Sequence, residues 1–308
     1  MAKTLFYTGH YNISLPEGHK FPRQKYGMVR SLLAEEDSFE LKPAPLAKQS
    51  VIELAHNPDY VSQFLTGTLP ASAIRRIGFP WSEMLVKRSL ASVGGTLSAA
   101  VEALDSGWGV TLGGGTHHAL HAEGAGFCVF NDIAVAIHYL RSIGRIRRAA
   151  VIDLDVHQGD GTAEIFAGEP DVFTLSIHCR SNFPFRKQRS TVDIDLPDKV
   201  ADEEYLRWMD QVLPEVLAFQ PEIIFYQSGV DALHSDALGH LSLTHAGLEE
   251  RDRRVMQTAR ANSIPLVLTL GGGYSRPIEL SVQAHVNTYR MMHSVFSTAP
   301  QRTQSTPR

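Results

Sequence analysis

The 308-residue chain reads as one α/β domain, a mostly parallel central sheet with helices on both faces. Three observations predict it. Short aliphatic and β-branched runs alternate with longer amphipathic stretches, as repeated strand–helix units do. The runs are apolar throughout rather than alternating, as in strands covered on both faces. Hydrophobic residues make up 43% and charged residues 20% of the sequence, enough apolar material for a sizeable core.

Strands are expected at 4–7, 51–55, 109–112, 149–156, 172–178, 222–228 and 265–270, each a short apolar run. Helices are expected between them, at 24–35, 59–65, 83–103, 132–142, 203–219, 245–261 and 277–293. Asn131 and Asp132 are suited to cap one helix start, and Thr244 ahead of Gly247-Leu248-Glu249 to cap another. There is no internal repeat and no long Pro/Gly/Ser linker, so residues 1–293 form a single domain. The last stretch, 294–308, offers little to bury and is expected to be a disordered tail.

The net charge of −4 argues against a general nucleic-acid binder. The basic cluster from Arg141 to Arg148 follows an apolar helical pattern and suits a helix C-terminus. Two cysteines, Cys128 and Cys179, lie far apart, which suits a reducing compartment and excludes a disulfide scaffold. With no signal peptide and no run near the ~20 apolar residues of a membrane span, a soluble, cytoplasmic protein is expected.

Ligands in such sheets bind beyond the carboxyl ends of the strands. Four strands here lead into unusual sequences: Gly113-Gly114-Gly115-Thr116-His117-His118, Asp153-Leu154-Asp155-Val156-His157, Gly229-Val230-Asp231 and Gly271-Gly272-Gly273-Tyr274. In a parallel sheet they share one rim. Asp155 and His157 are two apart, so on a strand they would point the same way. With Asp231 they offer a divalent cation two carboxylates and an imidazole, with a position left open for water. Zinc is the first choice, with iron(II), cobalt and manganese compatible. A solvated strand end or a buried Asp–His hydrogen bond is the plainer alternative.

His117 and His118 follow a glycine run that permits close backbone approach. Each needs an acceptor to fix its tautomer, and Asp153 and Asp160 are the spare carboxylates nearby. Neither glycine triplet has the Gly-Lys-Ser/Thr ending or the full spacing of a phosphate loop. Tyr274 is better placed as a hydrogen-bond donor to a developing oxyanion.

Together these segments resemble the zinc-dependent histone deacetylase superfamily, which includes acetylpolyamine amidohydrolases and acetoin-utilisation proteins. The resemblance runs from His19-Lys20-Phe21-Pro22 to Gly273-Tyr274. It rests on Gly113 to His118, on Gly126-Phe127-Cys128 with Asn131-Asp132-Ile133-Ala134, and on Asp153 to Gly161. The short chain, the 229–244 segment, Gly247-Leu248 and Arg251-Asp252 look most like the class IV-like branch.

That resemblance implies an arginase/deacetylase-like fold, with zinc on Asp155, His157 and Asp231. It implies proton transfer by His117 and His118, hydrogen-bonded to Asp153 and Asp160, with His118 as the base, and Tyr274 as electrophilic tyrosine. Phe127, Phe183 and Leu238 match walls of an acyl-lysine tunnel, and Gly126 and Gly272 substrate contacts. A structural potassium on Asp153, Asp155, His157, Ser176 and Ile177 is implied too. Two departures stand out. No aspartate between Leu65 and Pro80 matches the one that holds the substrate backbone in relatives, and Lys25 stands for an arginine of the internal exit channel.

The expected activity is removal of acyl groups from lysine side chains of a protein or peptide by activated water. Hydrolysis of small acylated amines such as acetylpolyamines is the alternative, and a silent acyl-lysine reader a third. A binuclear arginase-like hydrolase would share the architecture, but additional aspartate ligands are missing after His157.

Overall fold

The computed structural model describes residues 2–297. Its strands are β1 (Lys3–Tyr7), β2 (Phe39–Pro43), β3 (Trp108–Leu112), β4 (Ala149–Asp153), β5 (Val172–Cys179), β6 (Val192–Leu196), β7 (Ile223–Gln227) and β8 (Leu266–Thr269). Among the described residues they form one sheet, ordered β2-β1-β3-β8-β7-β4-β5-β6, with every pairing parallel. The helices are α1 (Gln24–Leu33), α2 (Gln49–Ile52), α3 (Pro58–Thr66), α4 (Ala71–Ile77), α5 (Glu83–Ser106), α6 (Asp132–Ser142), α7 (Asp160–Ile165), α8 (Asp202–Ala218), α9 (His245–Ala261) and α10 (Glu279–Ser297).

Side chains alternate across each strand, so the apolar runs feed two cores. Val151 and Phe225 join α3, α5 and α6 on one face, while Ile152 and Tyr226 join α8, α9 and α10 on the other. The central strands β3, β4 and β7 are buried at every position, which is why they are apolar throughout. Asn131 and Thr244 cap α6 and α9, their side chains accepting from the Ala134 and Gly247 amides.

Several expectations change. The edge strands β2 (FELKP) and β6 (VDIDL) escape a search for apolar runs, because their exposed positions are polar. Residues 51–55 are not a strand. Ile52 and Ala55, three apart, are buried while Leu54 is 41% exposed, a helical spacing that ends α2 and the turn after it. Helices α4 and α7 are too short to announce themselves by periodicity. Helix α10 continues to Ser297, beyond the expected boundary at 293; residues 298–308 of the expected tail lie outside the described residues.

The four segments singled out for the rim follow β3, β4, β7 and β8. These are neighbours at the sheet centre in the order β3-β8-β7-β4, and being parallel they end at one edge.

Candidate active site

Strand β4 stops at Asp153, so Asp155 and His157 do not share a strand face as their spacing suggested. They converge instead through a loop that folds over the strand end. The Val156 amide donates to Asp231 Oδ1 at 2.8 Å, and the His157 amide to Asp155 Oδ1 at 3.1 Å. His157 Nδ1 then lies 2.9 Å from Asp155 Oδ1 and 3.2 Å from Asp231 Oδ2.

The carboxylates are almost sealed from solvent, Asp155 at 1% and Asp231 at 0% exposure. Burial and the neighbouring Asp155 charge push Asp231 up to about 7. Burial would raise Asp155 as well, but the His117 and His157 imidazoles hold it well below the usual carboxylate range. Burial opposes a proton on His157, yet its bonds to Asp155 and Asp231 raise it to about 10. Two buried acids with one imidazole therefore form a cradle for positive charge.

A divalent cation fits this donor set. One nitrogen and two carboxylate oxygens lie within 4.8 Å of one another, and two carboxylates match a 2+ charge. Backbone crowds the cradle so closely that glycine is required. A Cβ on Gly272 would sit 2.1 Å from Asp231 Oδ2, and one on Gly229 2.2 Å from Asp155 Oδ2. The Gly272 amide donates to Asp155 Oδ2 at 3.0 Å.

His117 and His118 follow β3 in a turn. His117 Nδ1 is 2.7 Å from Asp153 Oδ2, and His118 Nδ1 is 2.6 Å from Asp160 Oδ1, which makes the expected two His–Asp pairs. The pairs are not equivalent. Burial would lower His117, but Asp153 and Asp155 outweigh it and hold the ring at about 9. Burial and the charge of His117 push His118 down to about 4. The surroundings thus favour a proton on His117 and disfavour one on His118.

A cavity of about 200 Å³ leads to these groups. Phe127, Phe183 and Leu238 line it, as do Gly126, Gly272 and Tyr274. Phe127 adopts φ 66°, a left-handed backbone that an aromatic residue holds only at a cost of roughly 1–3 kcal/mol. Ser176 and Ile177 lie apart from the cavity, on β5, with Ser176 in register beside Asp153.

The Histone deacetylase domain family matches residues 19–289. Histone deacetylase 2 of Arabidopsis thaliana is 32% identical, over 89% of this chain and 75% of its own length. The acetoin utilization protein AcuC of Bacillus subtilis is 31% identical, over 83% of this chain and 72% of its own. Among solved structures, a homologue of histone deacetylases complexed with SAHA superposes at TM-score 0.81 and 25% identity, covering 95% of this chain and 84% of its own. The chain belongs to the histone deacetylase family. It is therefore a member of a deacetylase family, and its cavity is the candidate active site.

Around this candidate site stand supports that the sequence did not single out for these roles. Asp132, read as a helix-capping residue and as part of the family motif but given no role in the site, accepts from the Gly115 and Thr116 amides at 3.0 and 2.7 Å and so anchors the histidine turn. Asp236 accepts from the Tyr274, Leu238 and Gly239 amides, joining the tyrosine loop to a cavity wall. Arg251, fully buried in α9, donates to the carbonyls of Leu154 and Gly229 at 3.1 and 2.7 Å, one residue before Asp155 and two before Asp231. Asp252 pairs with that guanidinium at 2.8 Å. The available signal was an Arg-Asp pair on the buried side of an amphipathic helix.

Proposed function

We propose that this deacetylase-family protein is a zinc-dependent amidohydrolase that removes acyl groups from lysine side-chain amines. The observation that carries the reading is a narrow, aromatic-walled cavity ending at the Asp155–His157–Asp231 cradle and the unequal histidine pair. The walls suit an extended alkyl chain, and the cavity is lined by no carboxylates other than Asp155 and Asp231.

When bound, zinc supplies Lewis-acid polarisation of the amide carbonyl and acidifies the attacking water. Iron(II) or cobalt is an expected substitute, since two oxygens and a nitrogen accept all three. His118 is the base: Asp160 holds its Nδ1, leaving Nε2 to take a proton from water as the oxygen adds to the carbonyl carbon. The Tyr274 hydroxyl donates to the developing oxyanion. The carbon–nitrogen bond breaks as a histidine proton passes to the departing amine, giving a free lysine and a carboxylic acid. His117, held as a cation by Asp153, favours the negative charge of the transition state. The Gly126 carbonyl accepts the substrate amide hydrogen, and Gly272 lines the acyl end of the tunnel. Asp153, Asp155 and His157 with Ser176 and Ile177 are the residues that would hold a structural potassium.

A small acylated polyamine would use the same chemistry but needs acidic groups for its cationic tail. The adjoining cleft presents Lys20 and Arg276 and no carboxylate, which favours acyl-lysine. The test is a panel of lysine peptides with acyl groups of increasing length, alongside an acetylpolyamine, assayed with defined metals. The peptide is expected to exceed the polyamine by at least about tenfold in kcat/KM, with turnover abolished by chelation. A preference for the polyamine, or full turnover after metal removal, would overturn the reading.

A further inference from the structure

At the mouth of the tunnel, away from the catalytic cradle, three different ligand types converge from three segments. Cys179 ends β5, Asp198 lies in the turn after β6, and His240 lies in the loop after Leu238. Cys179 Sγ is 3.3 Å from Asp198 Oδ1, and His240 Nδ1 is 3.8 Å from Asp198 Oδ2. All three ligand atoms lie within 4.8 Å of one another. In a tetrahedral zinc shell with bonds of about 2.0–2.3 Å, neighbouring ligand atoms are about 3.3–3.8 Å apart. The Cys179–Asp198 and His240–Asp198 separations, each to a different oxygen of the carboxylate, are of that size, and a small turn of Asp198 brings one oxygen to both.

We propose that Cys179, Asp198 and His240 form a second metal site, for a zinc-like divalent cation, that ties together the loops at the tunnel mouth. Thiolate, carboxylate and neutral imidazole together carry two negative charges, which a divalent ion neutralises. Binding replaces the thiol proton, which is released to solvent. Half-exposure of Asp198 and His240 leaves an approach for the ion and room for water as a fourth ligand. Without an ion the same groups are satisfied through Ser181, whose hydroxyl contacts both Asp198 and His240. The nearby cation Lys187 is turned onto the carbonyls of Arg180, Asn182 and Pro184.

The position suggests what the site does. The His240 amide donates to Asn182 Oδ1 at 3.0 Å, and Asn182 Nδ2 to the Leu238 carbonyl at 2.7 Å. Phe183 follows Asn182, so the segments joined by the ion carry two tunnel walls. Occupancy stiffens the mouth without touching the reacting atoms.

The test uses the full chain, stripped with a chelator and titrated with Co²⁺ under reducing conditions. The catalytic cradle contains no sulfur, so a thiolate-to-cobalt charge-transfer band in the near ultraviolet reports on the second site alone, whether or not the protein deacylates lysine. A band that reports one thiolate-bound Co²⁺ per chain and saturates by two equivalents, the other ion filling the catalytic cradle, is expected. It should be lost in Cys179→Ser, retained in Cys128→Ser, and require at least about tenfold more Co²⁺ in His240→Ala, a surface change that tests the site even if Cys179→Ser misfolds. Absence of the band in the wild type, its survival in Cys179→Ser, or an unchanged titration in His240→Ala overturns the proposal.

Discussion

At the floor of the cavity, Asp155 and Asp231 are at most 1% exposed, and the Val156, His157 and Gly272 amides all donate to them. At the mouth, Phe183 and Leu238 are only half-buried, and the neighbouring Phe185 is 90% exposed. The floor is held by converging strand ends and by the buried Arg251, whereas the mouth is held by loops. The contrast separates two demands. Chemistry needs groups fixed to within fractions of an ångström, while substrate choice needs walls that vary independently of that chemistry.

The contrast is broken most severely at the floor. Asp231→Asn, measured by kcat with acyl-lysine peptide and by bound metal, should lose the ion and at least about 10³-fold in rate, because one charged ligand of three is gone. Retained metal and activity in that variant would falsify the assignment of the cradle. His118→Ala should lower kcat by about 10²–10⁴-fold, and Tyr274→Phe by about 10²–10³-fold, both with intact folding by circular dichroism. Near-normal turnover of Tyr274→Phe would remove the tyrosine from the mechanism.

At the mouth the effect should be smaller and of another kind. Leu238→Ala is expected to raise KM by up to about tenfold, in line with losing 1.5–3 kcal/mol of apolar burial at most, while kcat stays within about twofold. A fall in kcat matching the floor variants would show that mouth and floor are not separable.

The smallest effect concerns stability rather than rate. His56 is wholly buried behind the histidine turn, and its Nε2 accepts from the Asn131 amide at 2.8 Å. Burial lowers it from 6.5 to about 4. The unfolded chain binds a proton there below 6.5 while the folded chain does not, so this contribution is complete above 6.5 and declines as pH falls toward 4. Urea midpoints at pH 7 and 5 should show wild type losing more stability than His56→Gln, by up to about 2 kcal/mol, since only the span from 6.5 to 5 is crossed. Equal losses in both proteins would exclude His56 as the source.

Much of the site could be read before any coordinates, because its groups sit next to strand signals. Gly113 to His118, Asp153 to His157, Asp231 and Tyr274 each follow a strand that the apolar runs identify. What escaped the reading did so for local reasons. Strands β2 and β6 alternate because they lie at the sheet edges, and Asp132 and Thr244 looked alike as capping residues although only Asp132 also anchors a catalytic turn. Asp236 sits among loop residues with no periodicity, so nothing in its surroundings marked it.

The sequence by itself determined the layered α/β plan and singled out the candidate site residues, since apolar runs specify buried strands and unusual residues at their ends stand out from them. Only the tertiary structure decided that Asp155 and His157 meet through a loop rather than along a strand. It alone set His117 and His118 apart, favouring a proton on the first and disfavouring one on the second, because a proton's affinity depends on the charges and solvent around each ring. The company that Cys179 keeps with Asp198 and His240 was equally invisible, since contacts among distant loops depend on how the sheet closes its edge.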